Sequence, residues 1–246
     1  MSKRCPLALL VVALVFALVG GCAQKPAEPD VDPQARLQFQ QAFQTALYRS
    51  ISANVQEVTA GAVSLLIVAN RQGQAVSCQA KGSPEGVAKL PLDVPRTAPR
   101  QFAAMMEEYC RQAIFPTAPD ALYDDKGQIE LRAPVVVVFP VQDSSRWKLR
   151  NAQRAFFREH LLKGETVDSV GHLVVRYQTN GKGCLVDIRP NDIRPMDFKL
   201  DGALQGRLNQ ACMKLDLREL PGIAQGDPQQ SVGLVSLEYA PWTVGR

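Results

Sequence analysis

Cysteine is the residue type with the widest chemical choice in this chain. Cys78, Cys110, Cys184 and Cys212 could bind a metal as thiolates, act as nucleophiles or pair as disulfides. A structural zinc site wants ligands in close pairs such as C-x-x-C, and these four lie tens of residues apart. In an exported chain an even set reads instead as two disulfides, with three possible connectivities. Other chemistry is thin. Histidine occurs only as His160 and His172, and Glu159-His160 lacks the second histidine of an H-E-x-x-H zinc motif. His172 alternates within an apolar segment and reads as an outward or rim residue. There is no G-x-S-x-G elbow and no phosphate-binding G-x-x-x-x-G-K-[ST] loop. Glu107-Glu108 resembles a carboxylate pair, but adjacent helix positions face different ways, so both read as a solvated face. Asp124-Asp125 ahead of Lys126-Gly127 reads as a turn. The expectation is a protein that is not an enzyme and that carries no cofactor and no metal.

The first residues argue for export. Lys3 and Arg4 precede the apolar run LALLVVALVFALVGG, which ends at Cys22. A basic start, an apolar stretch and small residues at a cleavage site make a secretory signal. The run is about as long as some membrane spans, but its ending, LVGGC, resembles the lipobox of bacterial lipoproteins, whose cysteine becomes the acylated first residue. That resemblance implies a signal peptide over 1–21 and a palmitate-type lipid on Cys22. Ala23 rather than Asp after the cysteine implies, by the sorting pattern of such lipoproteins, the outer membrane. Residues 22–33, rich in Pro and polar side chains, read as a tether. Loss of Lys3 and Arg4 brings the formal charge of +4 close to zero, which is not the electrostatic footprint of a nucleic-acid binder.

The elements that must position the remaining cysteines come in a repeated order. In HLVVRYQTNGKGCLVDIRP the period-two alternation of a strand leads into Asn180-Gly181, a strong hairpin signal because both central residues of a type I′ turn need positive φ. Beyond it Cys184, Val186 and Ile188 share a face. Leu204, Leu208, Ala211, Cys212 and Leu215 then form one face of a helix, and SVGLVSLEY reads as a closing strand. The first half gives the same order: the strand AVSLLIVA, the turn NRQG, and a strand with Val76, Cys78 and Ala80 on one face. A helix follows with Phe102, Met106, Tyr109, Cys110 and Ala113 at the same spacing, with Thr97 as N-cap and Pro99 in the first turn. The strand APVVVVFPV closes it. Leading helices are expected on the stripes Phe39, Ala42, Phe43, Ala46, Leu47 and Leu149, Ala152, Ala155, Phe156, Leu162.

The expected fold is therefore α+β, with two tandem two-layer helix–β–β–helix–β units at 34–142 and 143–246. Each would carry a sheet-to-helix disulfide, Cys78–Cys110 and Cys184–Cys212. Closing a loop of about 30 residues contributes roughly 3–4 kcal/mol in the chain-entropy model, useful to a unit of about 100 residues with a limited core.

The second unit, and more weakly the first, resembles the C-terminal domains of TonB and TolA. The likeness rests on element order and on Gly181, Asp187, Pro190, Cys212 and Pro221. It implies protein–protein contact in the periplasm, often by adding a strand to an exposed sheet edge, and the short mixed sheet expected here would leave edge N–H and C=O groups unpaired. Candidate edge residues are Val135, Val137 and Phe139 in one closing strand and Val232, Leu234 and Tyr239 in the other. Unlike those proteins, this chain has a lipoprotein signal and no long rod, which implies an accessory or receiving component. The functional expectation is an outer-membrane lipoprotein facing the periplasm that binds another cell-envelope protein in envelope assembly, transport or secretion. The alternative is a periplasmic inhibitor of a hydrolase, acting through the Pro-rich loop at 82–99.

Overall fold

The run AVSLLIVA is apolar at odd and even positions alike, as suits a central strand with a neighbour on each side. In the computed structural model, which describes residues 31–57, 59–139, 144–178, 183–223 and 232–245, this run lies within β1 (Ala60–Asn70), the central strand of a three-stranded antiparallel sheet. Its neighbours are β2 (Ala75–Gly82) and β3 (Gln128–Val138), in the order β2-β1-β3. The second sheet has β4 (Gly171–Gln178) at its centre, between β5 (Gly183–Pro190) and β6 (Val232–Tyr239). All its pairings are antiparallel too, so the short mixed sheet expected from the sequence is replaced by two purely antiparallel ones.

Helices cover one face of each sheet. The helix α1 (Pro33–Asn54) and the helix α3 (Pro99–Gln112) close the first core, where Phe43, Leu47, Phe102 and Met106 meet Leu65, Ile67 and Val135. A single turn, α2 (Pro84–Val87), is capped by the Ser83 hydroxyl. The helix α4 (Ser144–Phe157) runs on into a π-helical stretch, Arg158–Leu162, and α5 (Gly202–Lys214) follows β5. Phe157, Leu161, Leu204 and Leu208 pack there on Leu173, Val175 and Val186. From Val31 onward the chain clusters as one compact unit. Among the described residues no helix is long and apolar enough to cross a membrane.

Both disulfides join a flanking strand to the helix above it: Cys78 in β2 to Cys110 in α3, and Cys184 in β5 to Cys212 in α5. Their Cα atoms stand 6.2 and 5.3 Å apart, within normal disulfide reach. A mixed helix-and-sheet protein with two small antiparallel sheets and these two bridges agrees with the expected pairing of the cysteines.

Several local expectations are corrected. Val76 is exposed because a bulge between Val68 and Ala69 puts Ala75 in its core position. Thr97 is not the N-cap of α3: Ala98 is, without a side-chain bond, while the Thr97 hydroxyl meets that of Thr59. The strand β3 begins ahead of APVVVVFPV, since Ile129 and Leu131 pair with Ala69 and Ile67 on the core side. Ala42 in α1 is exposed. The stripe expected for the second leading helix is buried only in part: Leu162 is buried in the π-helical stretch, Ala152, Ala155 and Phe156 are half-buried, and Leu149 is exposed, while Asn151, Phe157 and Leu161 also turn inward. The hairpin turn Asn180-Gly181, the signal, Cys22 and the tether up to residue 30 lie outside the described residues, and the end of the expected tether belongs to α1, with Asp32 as its N-cap and Pro33 as its first residue.

Candidate partner-binding edges and the inter-sheet cleft

A three-stranded sheet has two edges, so the two sheets expose four edge strands: β2, β3, β5 and β6. Each edge residue that does not face the neighbouring strand turns its N–H and C=O outward, where another chain could pair with them. Three of the four edges carry an interruption at one residue within the strand.

On β2 the Ala80 amide donates to Glu107 Oε1 on α3 at 2.9 Å. Glu107, expected on a solvated face, is thus held against the sheet. On β5 the Val186 amide donates to Asn209 Oδ1 at 2.7 Å, and Asn209 Nδ2 donates back to the Val186 carbonyl at 3.2 Å. The two devices occupy matching slots: each capped residue lies two after the strand cysteine, and each capping side chain three before the helix cysteine. On β3, Pro134 stands in mid-strand opposite Ser64. A proline has no N–H, so it fits a sheet only where no ladder bond is required, and it removes a donor from the free edge. Glu130 and Arg132 add charge along the same strand, a further deterrent to strand pairing.

The fourth edge, β6, is interrupted at Ser236, toward the end of the strand. Arg154 Nε of α4 donates to the Ser236 carbonyl at 3.2 Å, which shows that Ser236 turns its backbone groups outward. By alternation, so do Leu234 and Val232. Among the described residues nothing caps those two. Their side chains are 64 and 73% exposed, and Leu234 and the exposed Leu185 flank Arg176 across the outer face of the sheet.

The candidate edge residues therefore divide. Val232 and Leu234 offer both side chain and backbone. Val135 and Val137 do not: β3 is an edge strand, but these side chains point into the first core. Phe139 lies just past β3, half-buried, its ring 4.9 Å from that of Trp147. Tyr239 is buried over Gly171, where a Cβ would run into its ring, and burial raises its phenol pKa above the usual value.

Between the two sheets polar bonds run alongside apolar contacts, with Trp147 and Ile193 packed against the first core. Asn151 Nδ2 donates to the carbonyls of Ser52, at 2.8 Å, and Val55 at the end of α1. Trp242 Nε1 donates to Ala113 O at 3.3 Å. Arg194, nearly buried, reaches Phe115 O at 3.3 Å and Arg71 O at 3.0 Å and is also paired with Asp197. The last carbonyls of a helix have no partner within it. Here residues beyond Ser144 supply partners for the ends of α1 and α3. A small apolar cluster of Ile114, Val170, Ala240 and Trp242 sits beside these bonds.

The same junction encloses a cleft of about 290 Å³ lined by Arg49, Gln112, Arg154, Arg158, His172 and Glu238, among others. His172, expected at a rim, is half-buried there, its Nε2 against the Ser236 hydroxyl. Among the described residues no group of three or more His, Cys, Asp and Glu side chains converges as a metal ion would need. The caps and the cleft arginines escaped the sequence reading. Only the matching positions of Glu107 and Asn209, three before each helix cysteine, carried a usable signal.

No protein-family model matches this chain, and neither a curated protein nor a solved structure does.

Proposed function

We propose that the chain is a periplasm-facing lipoprotein, anchored in the outer membrane through acylated Cys22, that binds another cell-envelope protein along the start of β6. In this reading the partner contributes an extended segment that pairs with the outward N–H and C=O groups of Val232 and Leu234. Its alternate apolar side chains lie against Val232, Leu234 and Leu185. The observation that carries the reading is the contrast among the edges: β2, β3 and β5 are interrupted within the strand by Glu107, Pro134 and Asn209, whereas among the described residues Val232 and Leu234 at the start of β6 are uncapped and apolar.

The reading includes two tandem units at 34–142 and 143–246, akin to the C-terminal domains of TonB and TolA. Three sets of equivalent positions support the duplication. The sheet–helix disulfides match, and so do the caps Glu107 and Asn209. Gly61 and Gly171 each lie six residues before the partner of the strand cysteine, and each lies under an aromatic ring, Phe102 or Tyr239. Two disulfides also suit an oxidising compartment.

The test is site-specific photocrosslinking in intact producing cells. A crosslinker at position 234 is expected to trap one discrete envelope protein, and one at position 132 on β3 is not. Trapping from 132 but not 234, or from neither, overturns the proposal.

One observation favours the inhibitor reading. In the loop between α2 and α3, Leu90 is buried while Leu92 is 94% exposed, as an inserting side chain would be. Inhibition of a periplasmic hydrolase that is lost in Leu92→Asp would support it.

A further inference from the structure

The cleft between the two sheets contains more positive charge than the residues around it neutralise. Arg49 is matched: it lies 2.9 Å from Glu238 and 3.7 Å from Asp192. Glu238 also accepts from Asn191 at 3.3 Å, so the cleft's inner carboxylate is already engaged. Arg154 and Arg158 are different. They stand four residues apart, Arg154 in the last turn of α4 and Arg158 at the start of the π-helical stretch, and among the described residues neither has a carboxylate within ion-pair distance. Their partners are neutral oxygens. Arg154 donates to the Ser236 carbonyl and, at 2.7 Å, to Asn151 Oδ1. Arg158 donates to Gln112 Oε1 at 3.2 Å.

Two guanidinium groups at this spacing repel, and taking them from water without a counter-charge is costly. Burial pushes both below the usual arginine range. Glu238 opposes that for each, while Arg150 adds to it for Arg154, and Arg154 adds to it for Arg158. The helix also departs from α-geometry at this point, because the π-helical stretch begins at Arg158. Such stretches are rare and concentrate at functional sites.

We infer that the cleft is a binding site for a small molecule bearing an oxyanion, a carboxylate or a phosphate group, gripped by Arg154 and Arg158. Guanidinium forks match the planar or tetrahedral oxygens of these groups and bind them bidentately. The rest of the ligand would occupy the cavity of about 290 Å³, near the lower limit for small-molecule pockets, beside the neutral donors and acceptors Asn54, Gln112 and Thr243. Because α1 and α3 supply one wall and α4, β4 and β6 the other, an occupant would also tie the two sheets together. The site lies at the Ser236–Glu238 end of β6, away from Val232 and Leu234, and does not depend on that edge binding a partner.

The test is an NMR titration of the full chain with inorganic phosphate and, separately, with succinate, read at the side-chain Nε–Hε resonances of Arg154 and Arg158. At least one anion is expected to saturate with a Kd below about 1 mM, a binding free energy near −4 kcal/mol. The arm that saturates at lower concentration identifies the group recognised. Arg158→Gln is expected to weaken binding at least about tenfold, with Arg158→Lys between it and wild type, since a lysine keeps the charge but not the fork. Linear, unsaturated shifts with both anions overturn the inference, as does saturation that Arg158→Gln leaves unchanged. If Arg158→Gln does not fold, saturation at the wild-type arginine resonances decides the question.

Discussion

The two sheets solve the same construction problem with different margins. Each has a central strand with a glycine under an aromatic ring, a flanking strand bridged to its covering helix by a disulfide, and a cap three residues before the helix cysteine. They part at the third strand. In the first sheet Pro134 sits where the second has Ser236: each lies opposite the central-strand residue three after the glycine, Ser64 in one and Val174 in the other. Proline closes that edge permanently. Serine leaves it to be closed by Arg154, which covers the carbonyl of Ser236 and nothing nearer Val232. A fold with two small sheets can hide most of its edges by such means and keep one short apolar segment accessible.

The halves also differ in direction of dependence. The ends of α1 and α3 are completed by Asn151 and Trp242, and the carbonyls of Phe115 and Arg71 by Arg194, all from residues after Ser144. The reverse debt is small, the side-chain bond from Arg158 to Gln112 and the ion pair from Arg49 to Glu238 being the chief examples. The first sheet is therefore expected to lose more from damage at the junction than the second.

The largest effect should come from the bridges. Replacing Cys78 and Cys110 together by Ala, or Cys184 and Cys212, is expected to cost about 3–4 kcal/mol in either case, measured by urea unfolding. A loss confined to one pair would break the likeness of the two sheets.

Next is the junction. Arg194→Met removes the bonds to Phe115 O and Arg71 O and is expected to cost about 2–3 kcal/mol. Faster amide exchange should appear around 71–73 and 113–115 rather than in β5. Equal loosening on both sides would refute the one-way dependence.

The caps give a finer comparison. Asn209→Ala exposes both a donor and an acceptor of β5, Glu107→Ala only a donor of β2. Costs of about 2 and about 1 kcal/mol are expected respectively, and the reverse order would contradict the geometry.

Edge chemistry should scarcely alter stability. Pro134→Thr restores an outward N–H to β3, and concentration-dependent self-association by sedimentation is expected from it. Leu234→Lys is expected to leave unfolding within about 0.5 kcal/mol of wild type.

Alkaline pH should give the smallest and most gradual response. Burial holds the phenols of Tyr109, Tyr177 and Tyr239 above their usual pKa of 10.0. The folded state thus favours the protonated form. That contribution is fully present below about pH 10 and is lost as pH rises through the raised folded values. Tyr177→Phe should flatten the decline seen in thermal unfolding above pH 10.

How much of this was legible in the sequence follows the physics of each feature. The helix faces of α3 and α5 and both cysteine pairs could be read because apolar burial imposes periodicity, and the cysteines fall on the periodic face. The inward face of α4 could not, because Asn151 and Arg154 point inward to bind carbonyls of other elements, and polar docking carries no hydrophobic period. Val76 was misplaced by a bulge that shifts register within one strand. The start of β3 was hidden because an edge strand keeps charged residues such as Glu130 and Arg132 on its outer face. Val135 and Tyr239 were reasonable edge candidates by composition, yet which face of a strand is covered depends on helices far away in sequence. The cleft depends on the same distant encounter, with Arg49, Arg158 and Glu238 contributed by three separate elements.

The most direct measurement is amide hydrogen exchange of the free protein, resolved residue by residue by NMR. The outward amides of Ala80 and Val186, held by Glu107 and Asn209, should exchange slowly, and those of Val232 and Leu234 rapidly. If the Leu234 amide proves as protected as that of Val186, β6 offers no open edge and the proposed docking site is lost.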